Sequence, residues 1–238
     1  MRSRWLAGAV LATVAAVPET FGQGVAVAPT PPLRASEEPA FAVAAGAGFG
    51  TLGWGLTVAA GSPEHLQVRG VYNFGNLTIN TTQDEIDYEA DIELSTMGLI
   101  LDFYPGGSYF RLSAGWLLNN SDYTGWARPS DSETIGDQTY TPEEIGTLRA
   151  RIDVGDSAPF LGIGFGNPLD PDGRWKVIAD IGILIHPDVT LELEADGIVG
   201  DDPDFQEDLE QERRDIEEEI VSNLRIYPVV SVGVTFRF

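Results

Sequence analysis

Residues 224–238, the closing stretch of the chain, set the tightest limit on what the rest can become. Ile226, Val230, Val232, Val234, Phe236 and Phe238 fall on even positions, and Tyr227, Ser231, Gly233, Thr235 and Arg237 fall between them. That period of two belongs to an extended strand with one wholly apolar face. Ending such a face on an aromatic residue fits a transmembrane β-strand, which alternates lipid-facing and lumen-facing residues and carries aromatics at the membrane boundary. The plainer alternative is the last strand of a soluble sandwich or lipocalin-like barrel.

The other end of the chain decides how a membrane would be reached. Met1, Arg2, Ser3 and Arg4 form a basic start, and residues 5–17 form an apolar run too short to span a bilayer but sized as a signal-peptide core. Residues 1–24 therefore read as an export signal, cut after Ala16 or near Gly24. Residues 25–40, with Pro29, Pro31, Pro32 and Pro39, read as an extended linker, and 41–238 as the folded domain. No later stretch is apolar for the roughly 18 residues of a transmembrane helix. Entry into a membrane thus requires a closed barrel, the other fold that satisfies every backbone polar group there.

A formal charge of −23 excludes nucleic acid as a partner, since there is no basic surface for phosphates. It favours divalent cations or basic partners at the exposed acidic loops, beside the plainer role of keeping the chain solvated in transit. With no cysteine, neither a disulfide framework nor a thiolate metal site arises.

Alternation recurs along the chain. Leu52, Trp54, Leu56 and Val58 oppose small residues; Leu66, Val68, Tyr72 and Phe74 oppose Gln67, Arg69 and Asn73, before a polar stretch over residues 80–87. Tyr88, Ala90, Ile92 and Leu94 face Glu89, Asp91, Glu93 and Ser95, acids that fit a hydrated lumen or a projecting rim but not a dry core. Phe110, Leu112, Ala114, Trp116 and Leu118 oppose Arg111 and Ser113, and residues 120–146 form a long polar connection. Leu148, Ala150, Ile152 and Val154 resume the pattern, continued by residues 160–166. Trp175 through Ile185 alternate in a phase that Val189, Leu191, Leu193 and Ala195 prolong past Pro187, which allows one long kinked strand or two strands joined by a tight turn there. Asp202 and Pro203 open one acidic amphipathic helix, with Phe205, Leu209, Ile216 and Ile220 on one side, expected to cap a loop as a solvated element.

These spacings predict an all-β, antiparallel transmembrane barrel of about eight strands with one helix before the last. With Phe238 held at the periplasmic side and a turn at Pro187, the helix falls outside and the 120–146 connection falls in the periplasm. A barrel of eight is filled by its own side chains. Arg69, Arg111, Arg149, Arg151, Lys176 and Arg225 are then expected to meet Glu89, Asp91, Glu93, Asp153, Asp180 and Glu192 across the lumen.

Five segments carry a resemblance: residues 87–94, Leu101-Asp102-Phe103-Tyr104-Pro105, residues 110–115, Ala158-Pro159-Phe160-Leu161-Gly162 with its continuation to Asn167, and Tyr227-Pro228-Val229-Val230-Ser231. Together they are similar to a family of uncharacterised proteobacterial outer-membrane barrel proteins. The resemblance spans residues 51–238, and its Ala-Pro-Phe-Leu-Gly stretch is the most specific part. It implies the barrel fold and the cell outer membrane, with no reaction, cofactor or site residue to carry over. The strand ending in Phe238 also resembles the C-terminal signature through which barrel-insertion machinery takes up its clients.

Three functions fit such a chain. The first is a structural or surface-interaction role in contact with outer-membrane lipid, with no reaction of its own and no catalytic, cofactor-binding or metal residue. The second is a narrow channel or pore for small solutes or ions. The third is a barrel-borne lipid hydrolase, for which the histidines are His65, beside Glu64 and Ser62, and His186, before Pro187.

Overall fold

The computed structural model describes residues 41–83, 86–107 and 109–238, so the export signal and the linker lie outside the described residues. The strands are β1 (Ala42–Gly50), β2 (Gly53–Gly61), β3 (Leu66–Gln83), β4 (Ile86–Phe103), β5 (Phe110–Asn119), β6 (Asp122–Pro129), β7 (Glu133–Ile135), β8 (Gln138–Tyr140), β9 (Leu148–Asp153), β10 (Ser157–Phe165), β11 (Trp175–Ile185), β12 (Thr190–Ala195) and β13 (Ile226–Arg237). The helices are α1 (Pro142–Ile145) and α2 (Pro203–Leu224). Antiparallel pairing runs β1, β2, β3, β4, β5, β10, β11, β13 and back to β1, closing a ring of eight.

The count of eight stands, but its members differ from the expected ones. β1 is a strand the alternation does not announce, because seven of its nine residues are alanine or glycine. At Gly46 and Gly50 an added Cβ would lie 2.3 Å from carbonyl oxygens of β13, so the seam that closes the barrel admits no side chain there. Conversely, the stretches at Leu148 and Leu191 leave the wall. They are β9 and β12 of a sheet that rises from the barrel, ordered β12, β9, β6, β4 and β3.

That sheet exists because β3 and β4, each 18 residues long, are twice the length of β1 and β2 at 9 residues each. The apolar face of β4 changes sides along its length without a break in register. Met97, Leu99, Leu101 and Phe103 point out of the barrel, whereas Tyr88, on the opposite phase, packs into a core with Ala127, Leu148, Ile152 and Leu191. An outward apolar face suits lipid and an inward one suits water, so the switch near Ser95 marks where the strand leaves the bilayer. The acids Glu89, Asp91 and Glu93 sit on the outer side of the emergent part, the rim and not the lumen.

α2 completes this second core. Asp202 accepts a hydrogen bond from the Asp204 amide at 2.9 Å, as a cap before Pro203 should. Phe205, Leu209 and Ile216 are buried against the sheet, joined by Ile135 and Ile145 from the connection. The helix is thus a packed wall of the emergent unit, and a solvated cap only on its outer side; the side chain of Ile220 lies outside the described residues. Tyr140 donates to Asp208 at 2.6 Å, and burial, aided by that carboxylate, raises the phenol above its ordinary pKa.

Phe41, Phe238 and the short turns after β2, β4 and β10 share one end of the barrel, while the 120–146 connection and α2 share the other. The expected periplasmic position of residues 120–146 is therefore wrong relative to the helix. The expected count omits β1 and places β12 in the wall, which reverses the side of that connection. Among the described residues no helix is long and apolar enough to cross a membrane.

Candidate functional site

The barrel interior is filled in three layers, of which the middle one concentrates the charge. Arg69 on β3 lies between two carboxylates: Nε and Nη2 donate to Asp102 at 2.9 and 3.2 Å, and Nη1 and Nη2 donate to Asp180 at 2.8 and 3.0 Å. Arg111 on β5 donates to Asp180 at 2.7 Å and to the carbonyls of Phe165 and Ala179 at 3.2 and 3.4 Å. Ser113 donates to Asp102 at 2.6 Å. The four ionic side chains are 0–5% exposed and sum to zero charge. They tie β3, β4, β5 and β11 across the lumen with bidentate geometry, the arrangement that offsets the cost of burying ions. Gly164 faces this layer, and a Cβ there would meet the Arg111 guanidinium at 2.5 Å.

Below, toward the short turns, Gln67 donates to Asn167 at 2.7 Å, Tyr104 donates to Gln67 at 3.3 Å, and Asn167 donates to the Pro63 carbonyl at 2.6 Å. These bonds fold the loop after β10 into the barrel mouth, where Leu169 is buried and Lys176 stands 3.3 Å from Asp170. Above the ions, Leu52, Ile100, Leu117, Ala158, Phe160, Leu184 and Val229 form an apolar layer. A cavity of about 80 Å³ remains on the side lined by Gly48, Gly55, Thr57, Ser231 and Gly233, reaching Arg69 and Asp180.

Of the charges expected to meet in the lumen, Arg69, Arg111 and Asp180 do so, and Lys176 sits at its lower mouth. Arg149, Arg151, Asp153 and Glu192 belong to β9 and β12, and their exposed side chains lie outside the lumen with Glu89, Asp91 and Glu93. Arg151 pairs there with Asp122, and Arg149 stands 6.0 Å over Trp126. Arg225 is exposed at the junction between α2 and β13. Asp102, which completes the ionic layer, is missing from the charges expected there. Its signal is an acid on the opposite phase to Leu101 and Phe103 in a stretch bound for lipid.

The two histidines stand at opposite ends. His65 is exposed in the turn before β3, 3.5 Å from Glu64, while Ser62 accepts the Glu64 amide. His186 is buried beyond β11, its Nδ1 3.0 Å from the Val154 carbonyl. They cannot serve one centre. Among the described residues no three acid, histidine or cysteine side chains gather as a metal site.

Outside, the wall carries no charge. The outward positions from Leu66 to Phe74 on β3, from Met97 to Phe103 on β4, and along the other six ring strands hold only apolar residues, Gly, Pro or Tyr, apart from Ser157 at the start of β10. Aromatics border this belt, with Phe49, Trp54, Phe74 and Trp116 toward the emergent unit and Phe103, Phe165, Trp175 and Phe238 toward the short turns. An exposed apolar surface of that extent, rimmed by aromatics, is a lipid-facing one.

No protein-family model matches the chain, and no curated protein does. Solved structures do. CarO2 of Acinetobacter baumannii superposes with a TM-score of 0.61 at 19% identity, over 83% of this chain and 98% of that one. CarO of the same organism gives 0.58 at 22% identity, over 82% and 97%. The fold is that of a CarO-like barrel. A major outer membrane protein from Thermus thermophilus covers a similar share, 83% and 98%, at 15% identity and a TM-score of 0.42, below the level at which a shared fold is read.

Proposed function

We propose that this chain is a small outer-membrane barrel whose role is structural or surface-interacting, with no reaction of its own. The observation that carries the reading is the uncharged, aromatic-bordered belt around a ring whose lumen is closed by its own side chains. A wall of this kind belongs in lipid. A lumen occupied by a neutral ionic layer, an apolar layer and an inserted loop, with a cavity of about 80 Å³ beside them, argues against an open pore. What remains for function is the unit carried above the membrane, with its acidic outer face.

The first expected result is recovery with the outer membrane and a heat-modifiable band on a gel, since a closed ladder offers detergent no edge to unzip. Recovery as a soluble periplasmic protein would overturn the membrane reading in favour of a lipocalin-like barrel. Planar-bilayer recording should give no discrete conductance steps, and steps would establish the narrow-channel reading instead. Hydrolysis of labelled lipid by refolded protein, lost in His65→Ala or His186→Ala, would establish the enzyme.

The terminal strand supports a proposed partner as well. Phe238 is 76% exposed and packs edge-on against Phe236 at 5.6 Å, beside Trp175. Deleting Phe238 should lower assembly in cells, because this aromatic is the handle offered to the insertion machinery, and leave refolding into detergent unchanged. Normal surface levels after the deletion would remove that partner.

A further inference from the structure

Where it rises above the wall, β3 keeps a partner on one side only. β2 pairs with it from Gln67 to Phe74, whereas β4 pairs with it from end to end. The Leu66 carbonyl accepts Ser62 on the β2 side and the His65 carbonyl accepts Tyr104 on the β4 side. Since the register continues unbroken, Asn76, Thr78 and Asn80 aim their amides and carbonyls away from β4, toward the open edge. Among the described residues no hydrogen bond reaches them.

Exposed edges are ordinarily blunted by charge, proline, a bulge or a covering element. The opposite edge of the same sheet, β12, has such a cover: Arg213 of α2 donates to the Leu191 carbonyl at 3.4 Å. Residues 75–81 contain no proline, no charge and no bulge. The sheet guards one edge and leaves the other ready to pair.

We propose that this edge takes up an extended basic segment of a partner protein as an added strand. The inference deepens the surface-interaction reading and rests on it. On the outer face the short side chains of Asn76, Thr78 and Asn80 lie directly across from Glu93, Asp91 and Glu89. Asp91 and Glu93 have no ion pair among the described residues, and Arg128 stands 3.9 Å from Glu89. An added strand lies two strand spacings, roughly 10 Å, from that row, within reach of Lys or Arg side chains passing over the short ones. Its intervening residues fall beside Leu77, which is 50% exposed, and Ile79. The fitting segment therefore alternates basic and apolar residues. A second copy in the same membrane fits worse, because its β3 would run parallel to this one and it offers no row of basic residues to Glu89, Asp91 and Glu93.

The test uses full-length protein refolded in detergent and two short synthetic peptides, one alternating Lys and Val, the other Glu and Val. The basic peptide should bind and the acidic one should not. On binding, hydrogen exchange should slow at the amides of Asn76, Thr78 and Asn80 and stay unchanged at Leu77 and Ile79, which β4 already protects. Thr78→Pro, which removes an amide only from the open side, should weaken binding at least about tenfold. Its heat-modifiable band should remain. Asp91→Asn with Glu93→Gln should also weaken it, and salt should matter less in that variant. Equal binding by Thr78→Pro, no binding of the basic peptide, or protection without the alternate pattern would overturn the proposal. So would self-association that Thr78→Pro abolishes, which would assign the edge to a second copy. Failure of the membrane reading shows separately, as loss of the heat-modifiable band in the unaltered protein.

Discussion

Replacing Arg111 by Ala should cost the barrel about 3–5 kcal/mol in urea-driven unfolding from lipid, because it strands buried carboxylate charge beside Arg69 alone. Arg111 is fully buried and serves Asp180 together with three backbone carbonyls: those of Phe165, Gly166 and Ala179. Each would lose a buried donor, and an orphaned buried acceptor is costly in itself. Arg128→Ala is the control. Its guanidinium is 57% exposed and 3.9 Å from Glu89, so its removal should change stability by less than about 0.5 kcal/mol. Combining Arg111→Ala with Asp180→Ala should cost less than the two changes added, by about 0.5–3 kcal/mol, since the remaining Arg69 and Asp102 still balance. Equal effects of the two single arginine changes would mean that the ionic layer is not what holds β3, β4, β5 and β11 together.

Much of this arrangement is legible in the sequence because lipid enforces alternation. Trp54, Leu56 and Val58, or Val230, Val232 and Val234, could not face bilayer unless every second residue were apolar, so the faces of the wall follow from the period alone. Phase, however, tells which face a residue takes and not which sheet it joins. Leu191 and Leu193 continue the phase of Ile183 and Ile185, yet they pack under α2, because β12 pairs with β9 and not with a ring strand. Arg149 and Arg151 fall outside the lumen for the same reason. β1 leaves only a faint apolar signal, since the closing seam selects glycine for the close approach of β13 and leaves Val43 and Phe49 as its outward residues larger than alanine. A further signal stands in the sequence. In β4 the apolar residues shift from even to odd positions between Leu94 and Met97, which records a strand passing from water into lipid. That shift alone moves Glu89, Asp91 and Glu93 out of the lumen.

The strand that ends the chain allows the sharpest test of the wall. Val232 and Val234 point outward, 56% and 45% exposed, between the Trp175 and Phe236 rings on one side and Val230 on the other. Arg at either position would have to leave water for hydrocarbon, costing about 2–4 kcal/mol near the midplane and less toward an edge. Met at the same positions adds bulk without charge and should be tolerated, because lipid yields to shape. Gly233, between them, faces the lumen, where a Cβ would meet the Ala47 carbonyl at 2.9 Å and the Gly48 Cα at 3.2 Å. There size is the obstacle, so Gly233→Met should fail as badly as Gly233→Arg. The two outward valines should therefore discriminate by charge and the inward glycine by volume, as measured by urea titration of protein refolded into lipid vesicles. Tolerance of Arg at both Val232 and Val234 would remove the transmembrane strand, and with it the barrel's place in the membrane.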